Sequence, residues 1–218
     1  MDTLVNTLQY MLDDWQSILT LTIEHLYMSL SGVLFAIVIG VPIALIMTRN
    51  EKLAVTVQTT VSMIQTIPSL ALLLLIMIVF GLGYTTTIIA LVCYSFLPII
   101  MNTYVGLQNV DEHLIEAGEG MGMTPLQLLL QVKFPLALPT MMVGFRVAMV
   151  ICIGIATIAT FVGAGGLGQL IFRGILSTDD VKILAGSIPA ALLAISIDFL
   201  LKFAEGRSTF YLKRVSSE

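Results

Sequence analysis

Gly163, Gly165 and Gly168 stand at the spacing GxGxxG, which in the right setting cradles the pyrophosphate of a dinucleotide. The setting here is different. That motif needs a strand before it, a helix after it and an acid ~20 residues on, whereas an apolar stretch precedes these glycines and Asp179 and Asp180 come too soon. Gly163, Gly165, Gly166 and Gly168 therefore read as a tight turn. No Gly-Lys pair occurs in the sequence, so a phosphate-binding P-loop is excluded. His25 and His113 are far apart, and the topology below puts them on opposite membrane faces. His25, beside Glu24, reads as an interfacial residue. With no paired acids, Ser/His set or metal-ligand spacing in the spans, no catalytic residue and no metal site is expected. Cys93 and Cys152 lie in apolar stretches and read as buried thiols.

The remaining polar residues in apolar surroundings are the ones that need an explanation. Gln65 and Ser69, around Pro68, and Asn102 are expensive against lipid, so they should face protein or a watery cavity. They are candidates for a solute path, with plain interhelical hydrogen bonding as the alternative. Arg146 and Asp198 are the two ionisable residues inside spans, and pairing would reduce the cost of burying either. Snorkelling of Arg146, or a competing partner in Lys202, is open.

These side chains need a scaffold, and composition says which kind. Of 218 residues 57% are hydrophobic and 11% charged, with a mean hydropathy of +0.99. That much apolar surface belongs in a bilayer. The formal net charge of -4 and the lack of Lys/Arg clusters argue against nucleic acid. Runs of ~20 apolar residues, the length that spans a ~30 Å core, occur at about 26–47, 61–80, 85–107, 138–162 and 183–203. The N-terminal stretch lacks the basic n-region of a signal peptide, and residues 3–18 read as an interfacial helix.

An external N-terminus puts Arg49, Lys52, Lys133, Lys202, Arg207, Lys213 and Arg214 inside and leaves only Arg173 and Lys182 outside. The expected fold is thus all-α and integral to the membrane, with five spans, N-terminus outside and a cytoplasmic tail over 204–218. Small residues repeat at every fourth position in the first span (Gly32, Ala36, Gly40, Ala44) and the fourth (Gly144, Ala148, Cys152, Ala156, Thr160). Such stripes let helix backbones approach closely, within one chain or between two.

Residues 109–135 form a polar cytoplasmic loop in this topology. Thr124 before Pro125 reads as an N-cap followed by proline at the first helical position, with Gly122 in the preceding turn. Two short helices should meet there. Ala117, Gly118 and Gly120 leave one surface without bulk, which suits close docking by a partner.

Glu116, Ala117 and Gly118, then Gly122, then Val132, Phe134 and Pro135 resemble the "EAA" loop of ABC importer membrane subunits. QTIPSLALL from Gln65, NTYVGLQNVDEHLIEAGEGMGMT from Asn102, and FPLALPTMMVGFRVAMVICIGIATIATFVGAGGLG from Phe134 are similar to permeases of the glycine betaine, carnitine and choline importers. The resemblance implies a type I ABC importer permease fold in a bacterial or archaeal cytoplasmic membrane. It implies cytoplasmic ATPase subunits that use ATP and magnesium, none of it bound by this chain. It also implies a separate extracytoplasmic substrate-binding protein and a second copy or paralogue of the permease. Glu116, Ala117, Gly118, Gly122, Thr124 and Pro135 become the ATPase-coupling loop. A methionine-type importer, or a non-transporting scaffold or receptor, is the alternative.

Overall fold

A computed structural model describes the backbone of residues 2–215 and the side-chain surroundings of residues 3–206. The chain folds into ten α-helices among the described residues: α1 Asp2–Asp13, α2 Trp15–Met47, α3 Glu51–Thr66, α4 Ser69–Phe80, α5 Tyr84–Gln108, α6 Glu112–Gly120, α7 Pro125–Leu128, α8 Phe134–Ala156, α9 Gly168–Ser177 and α10 Asp180–Val215. A π-helical turn, Leu129–Lys133, joins α7 to α8, and a 3-10 turn, Ala159–Val162, follows α8. Four helical runs, α2, Pro125–Ala156, α5 and α10, are long and apolar enough to cross a membrane. Helices α3 and α4 make a fifth crossing if taken as one span bent by 99°.

Helix α5 is the hub, packed against α2, α8, α3 and α4. Both small-residue stripes face it. A Cβ on Gly32 would lie 2.5 Å from Leu91 Cβ, and one on Gly144 would lie 2.5 Å from the Pro98 carbonyl. Gly40 is held against Ile100 in the same way. Close approach of this kind replaces the missing hydrophobic drive between helices in lipid with van der Waals contact. Thr160 falls in the 3-10 turn, off the α8 stripe.

Several expectations are corrected. The span at 61–80 is not one straight helix. Ile67 is extended (φ -70, ψ 129) because the ring of Pro68 crowds the α conformation of the residue before it, and the chain turns sharply there. The interfacial helix expected over 3–18 ends at Asp13, and Trp15 already opens α2. With 33 residues, α2 is about 50 Å long and overruns the hydrocarbon core. The fourth helix stops at Ala156 instead of Val162, and the stretch after the glycine turn contains a ten-residue helix, α9. Of the tail expected at 204–218, α10 continues to Val215, while the side chains beyond Gly206 and residues 216–218 lie outside the described residues.

Candidate functional site

The polar loop is a tightly stapled pair of helices. Asp111 caps α6 by accepting from the His113 backbone N–H at 2.9 Å. At the other end Met123 N–H donates to the Gly118 carbonyl (3.1 Å) and Gly122 N–H to that of Glu119 (2.9 Å). This double closure needs a left-handed residue, and Gly122 supplies it at φ +80. Thr124 then opens α7 through a reciprocal capping box. Gln127 N–H donates to Thr124 Oγ1 (3.3 Å) and Thr124 N–H to Gln127 Oε1 (2.8 Å).

Gly118 proves to be an internal joint. It is buried, and a Cβ there would approach Leu128 Cδ1 to 2.6 Å, so it locks α6 against α7 and offers nothing to a partner. The outward surface instead carries Glu112, Glu116, Ala117, Glu119 and Gly120. Met121, Leu126 and Leu114 add apolar exposure, with Met121 76% and Leu126 64% open. An apolar tip ringed by carboxylates, on a loop otherwise fit for water, is the composition of an uncovered docking surface. Glu116 lies 3.9 Å from His113 on this surface.

Beyond α7 the chain does not simply continue as an α-helix. Phe134 N–H reaches back five residues to the Leu129 carbonyl, and Pro135 follows within the first turn of α8. Leu129 and Phe134 pack on Leu107, Ala137 and Met141, which ties this π-turn to α5 and α8.

Two of the three path candidates are committed to separate helix carbonyls. Gln65 Nε2 donates to the Tyr94 carbonyl (3.1 Å), the acceptor that Pro98, lacking an N–H, leaves free four residues on. In return the Tyr94 hydroxyl donates to the Ile67 carbonyl at the α3–α4 break. Asn102 donates to the Pro98 carbonyl of its own helix (2.8 Å) and packs against Gly144. Ser69 is half-buried at the start of α4. The open polar surface lies instead on α3, where Gln58, Thr59, Ser62 and Thr66 line a groove of about 470 Å³. Thr59 and Thr66 return their hydroxyls to the carbonyls of Val55 and Met63, which lowers the cost of that face.

Arg146 of α8 reaches two carboxylates on α10. Its Nη1 is 3.7 Å from Asp198 Oδ1 and its Nε 3.5 Å from Glu205 Oε2. Glu205 escaped the sequence reading because the span was ended at Phe203. Two turns after Asp198, it is on the same face of a helix that runs on.

At the opposite end, the glycine segment wraps around the first half of α2. Gly166 N–H donates to Glu24 Oε2 (3.0 Å), and any Cβ on Gly165 would overlap that carboxylate. His25 is fully buried, not interfacial. Its Nε2 meets the Ile153 carbonyl at 2.9 Å, because α2 starts far enough upstream to carry this residue into the core. A side chain on Gly168 would overlap the Thr157 carbonyl, so these glycines serve close packing. Asp179 caps α10 by accepting from the backbone of Val181 and Lys182. The Lys182 ammonium at 3.0 Å holds its carboxyl below the usual carboxylate range.

Residues 15–209 match the family described as "Binding-protein-dependent transport system inner membrane component". The chain belongs to that family. Among relatives of this transport-system component, the carnitine transport permease protein OpuCD of Listeria monocytogenes is 45% identical over 94% of this chain and 92% of its own. The glycine betaine/carnitine/choline transport system permease protein OpuCD of Bacillus subtilis (strain 168) is 47% identical over 84% of this chain and 80% of its own. The inward-facing MetNI methionine ABC transporter superposes with a TM-score of 0.75 at 26% identity, covering 85% of this chain and 93% of that one. An amino acid ABC transporter solved with histidines shares the fold at a TM-score of 0.72 and 21% identity, over 91% and 97%. The transport-system component described here is a multi-pass membrane protein, all-helical among the described residues, with a type I ABC importer permease fold.

Proposed function

We propose that this chain is the permease subunit of an ATP-driven importer for quaternary ammonium compatible solutes such as glycine betaine, carnitine and choline. The reading of the loop is carried by one observation: a two-helix unit with an apolar tip, Met121 and Leu126, that nothing among the described residues covers. The sequence has no phosphate-binding motif of its own. The loop is therefore the place where a separate ATPase, using ATP and magnesium, pushes. The substrate class is supported by the names of relatives at 45–47% identity, against 26% for the methionine transporter.

In this reading the loop and the tail face the cytoplasm of a bacterial or archaeal plasma membrane, and α1, α9 and the glycine segment face a substrate-binding protein outside. Force enters at the tip and passes through the Gly118–Leu128 joint and the π-turn to α8. Helix α8 carries it on to α5 through the Gly144 contact and to α10 through Arg146. The polar face of α3 forms one wall of the solute path, which a second copy or a paralogue of this permease completes. No side chain here acts as acid, base or nucleophile on the solute.

The test is reconstitution of the chain with its ATPase and binding protein in vesicles, with ATP-dependent uptake measured for betaine, carnitine, choline and methionine. Uptake of at least one quaternary ammonium solute, with none of methionine, is expected. Uptake of methionine alone, or none that depends on ATP, would overturn the assignment.

A further inference from the structure

The cleft between the end of α2 and the loop is a second site, sharing Glu119 with the rim of the docking tip. It encloses about 540 Å³. Its apolar walls come from Pro42 and Leu45 of α2 and from Leu128 and Leu129 on the loop side. Arg49 and Lys133 also line it, and Glu119 is its acidic member. Two cations against one carboxylate leave the cleft net positive. Among the described residues neither Arg49 nor Lys133 takes part in an ion pair.

Depth matters as much as charge. Helix α2 ends its apolar run at Met47, and Arg49 follows in the turn to α3, so the cleft sits where hydrocarbon gives way to headgroups. Ile46, also a lining residue, is 56% exposed and continues the open apolar stripe of Ile39 and Phe35 along the outside of α2. A molecule with an anionic head and an acyl tail would find a partner for each half.

We propose that this cleft binds the headgroup of an anionic phospholipid, its phosphate held between the Arg49 guanidinium and the Lys133 ammonium, its chain lying along Ile46 and Ile39. A guanidinium fork matches phosphate oxygens in two directions, and an ammonium adds a point charge from the other wall. Free phosphate would use the cations and ignore the apolar track, so a lipid is the occupant that accounts for both. Because Lys133 closes the π-turn, the bound headgroup would tie the α2–α3 corner to the base of the docking loop. The proposal rests on the chain spanning a membrane as a permease but not on what it carries. Solute uptake and lipid retention can therefore fail separately.

The full chain is purified with phosphatidylglycerol and phosphatidylcholine at equal concentration, and retained lipid is counted by native mass spectrometry. A cation near a membrane surface favours an anionic lipid about fivefold, so Arg49→Gln and Lys133→Gln should each cut the preference for phosphatidylglycerol about fivefold. The double variant should cut it about 25-fold. Arg49→Lys and Lys133→Arg should keep it, which controls for folding. Lys52→Gln, in the first turn of α3 and outside the cleft, should leave it unchanged. An undiminished preference in the double variant overturns the site. So does an equal loss in Lys52→Gln, which would mean general surface charge. Displacement of the lipid by millimolar inorganic phosphate would also overturn it, since the site would then be one for a soluble anion.

Discussion

Replacing Gln65 by leucine removes the donor that the Tyr94 carbonyl receives from α3, and Pro98 ensures that α5 itself provides no substitute. Tyr94 is 6% exposed, so water is a poor replacement. A buried acceptor left without a partner costs about 1–3 kcal/mol. Interhelical hydrogen bonds in membranes, measured against a membrane-embedded reference, come nearer 0.6 and reach about 1.7 kcal/mol. For Gln65→Leu a loss of about 1–2 kcal/mol follows. Pro98→Ala gives α5 back an N–H four residues after Tyr94, aimed at the same carbonyl. In the Pro98→Ala background, Gln65→Leu should therefore cost about 1 kcal/mol less. The four proteins of this cycle can be compared by reversible unfolding in mixed micelles, which cancels the separate cost of trimming the proline ring. Additive effects, within about 0.3 kcal/mol, would refute the stitch between the helices. Uptake then divides structure from path: full transport by the stable double variant makes Gln65 a brace, and lost transport in that same stable protein makes it part of the solute route.

Three further outcomes are expected. Gly122→Ala meets no steric obstacle but forces a side chain into φ +80, at a local cost of about 1–2 kcal/mol; ATP-driven uptake should fall with Gly122→Ala, and also with the surface change Glu116→Lys, while a pull-down with the binding protein stays normal. Arg146→Gln, which leaves Asp198 and Glu205 without their shared cation, should lose about 1–2 kcal/mol in a micelle unfolding assay, discounted because Asp198 is 46% exposed, and adding Asp198→Asn should restore part of it. Asp179 has a lowered folded-state pKa, so its contribution is present above its unfolded value near ~3.9 and disappears as pH falls through the lower folded value; thermal scans should show Asp179→Asn losing less stability than wild type between neutral pH and that window.

Local signals carried far. The Thr124–Pro125 pair reads directly as a helix start because a cap and its proline depend on neighbours in sequence. The stripes at Gly32 and Gly144 announce close packing, although only the tertiary fold brings both against α5. What stayed hidden depends on partners distant in the chain. Nothing near Gly118 says that Leu128 will close on it, and nothing near His25 says that Ile153 will cover it. Pro68 did carry a signal for the α3–α4 break, since the residue before a proline avoids the α region. Hydropathy alone ran over it because both halves are apolar enough. Glu205 was missed for the opposite reason, a boundary set by hydropathy on a helix that continues past its apolar part.

The π-turn at Leu129–Lys133 sets an angle as well as a connection. Each residue of an α-helix advances the face by about 100°. A turn closed over five residues instead of four therefore leaves α7 and α8 out of phase by roughly one residue. The side of α8 that meets α5 and the exposed apolar side of the loop are thus indexed independently. Shortening Leu129–Lys133 by one residue would make a more regular helix, yet it would swing Met121 and Leu126 around the axis and point the tip elsewhere. If the loop is the lever proposed above, the irregularity is what aims it.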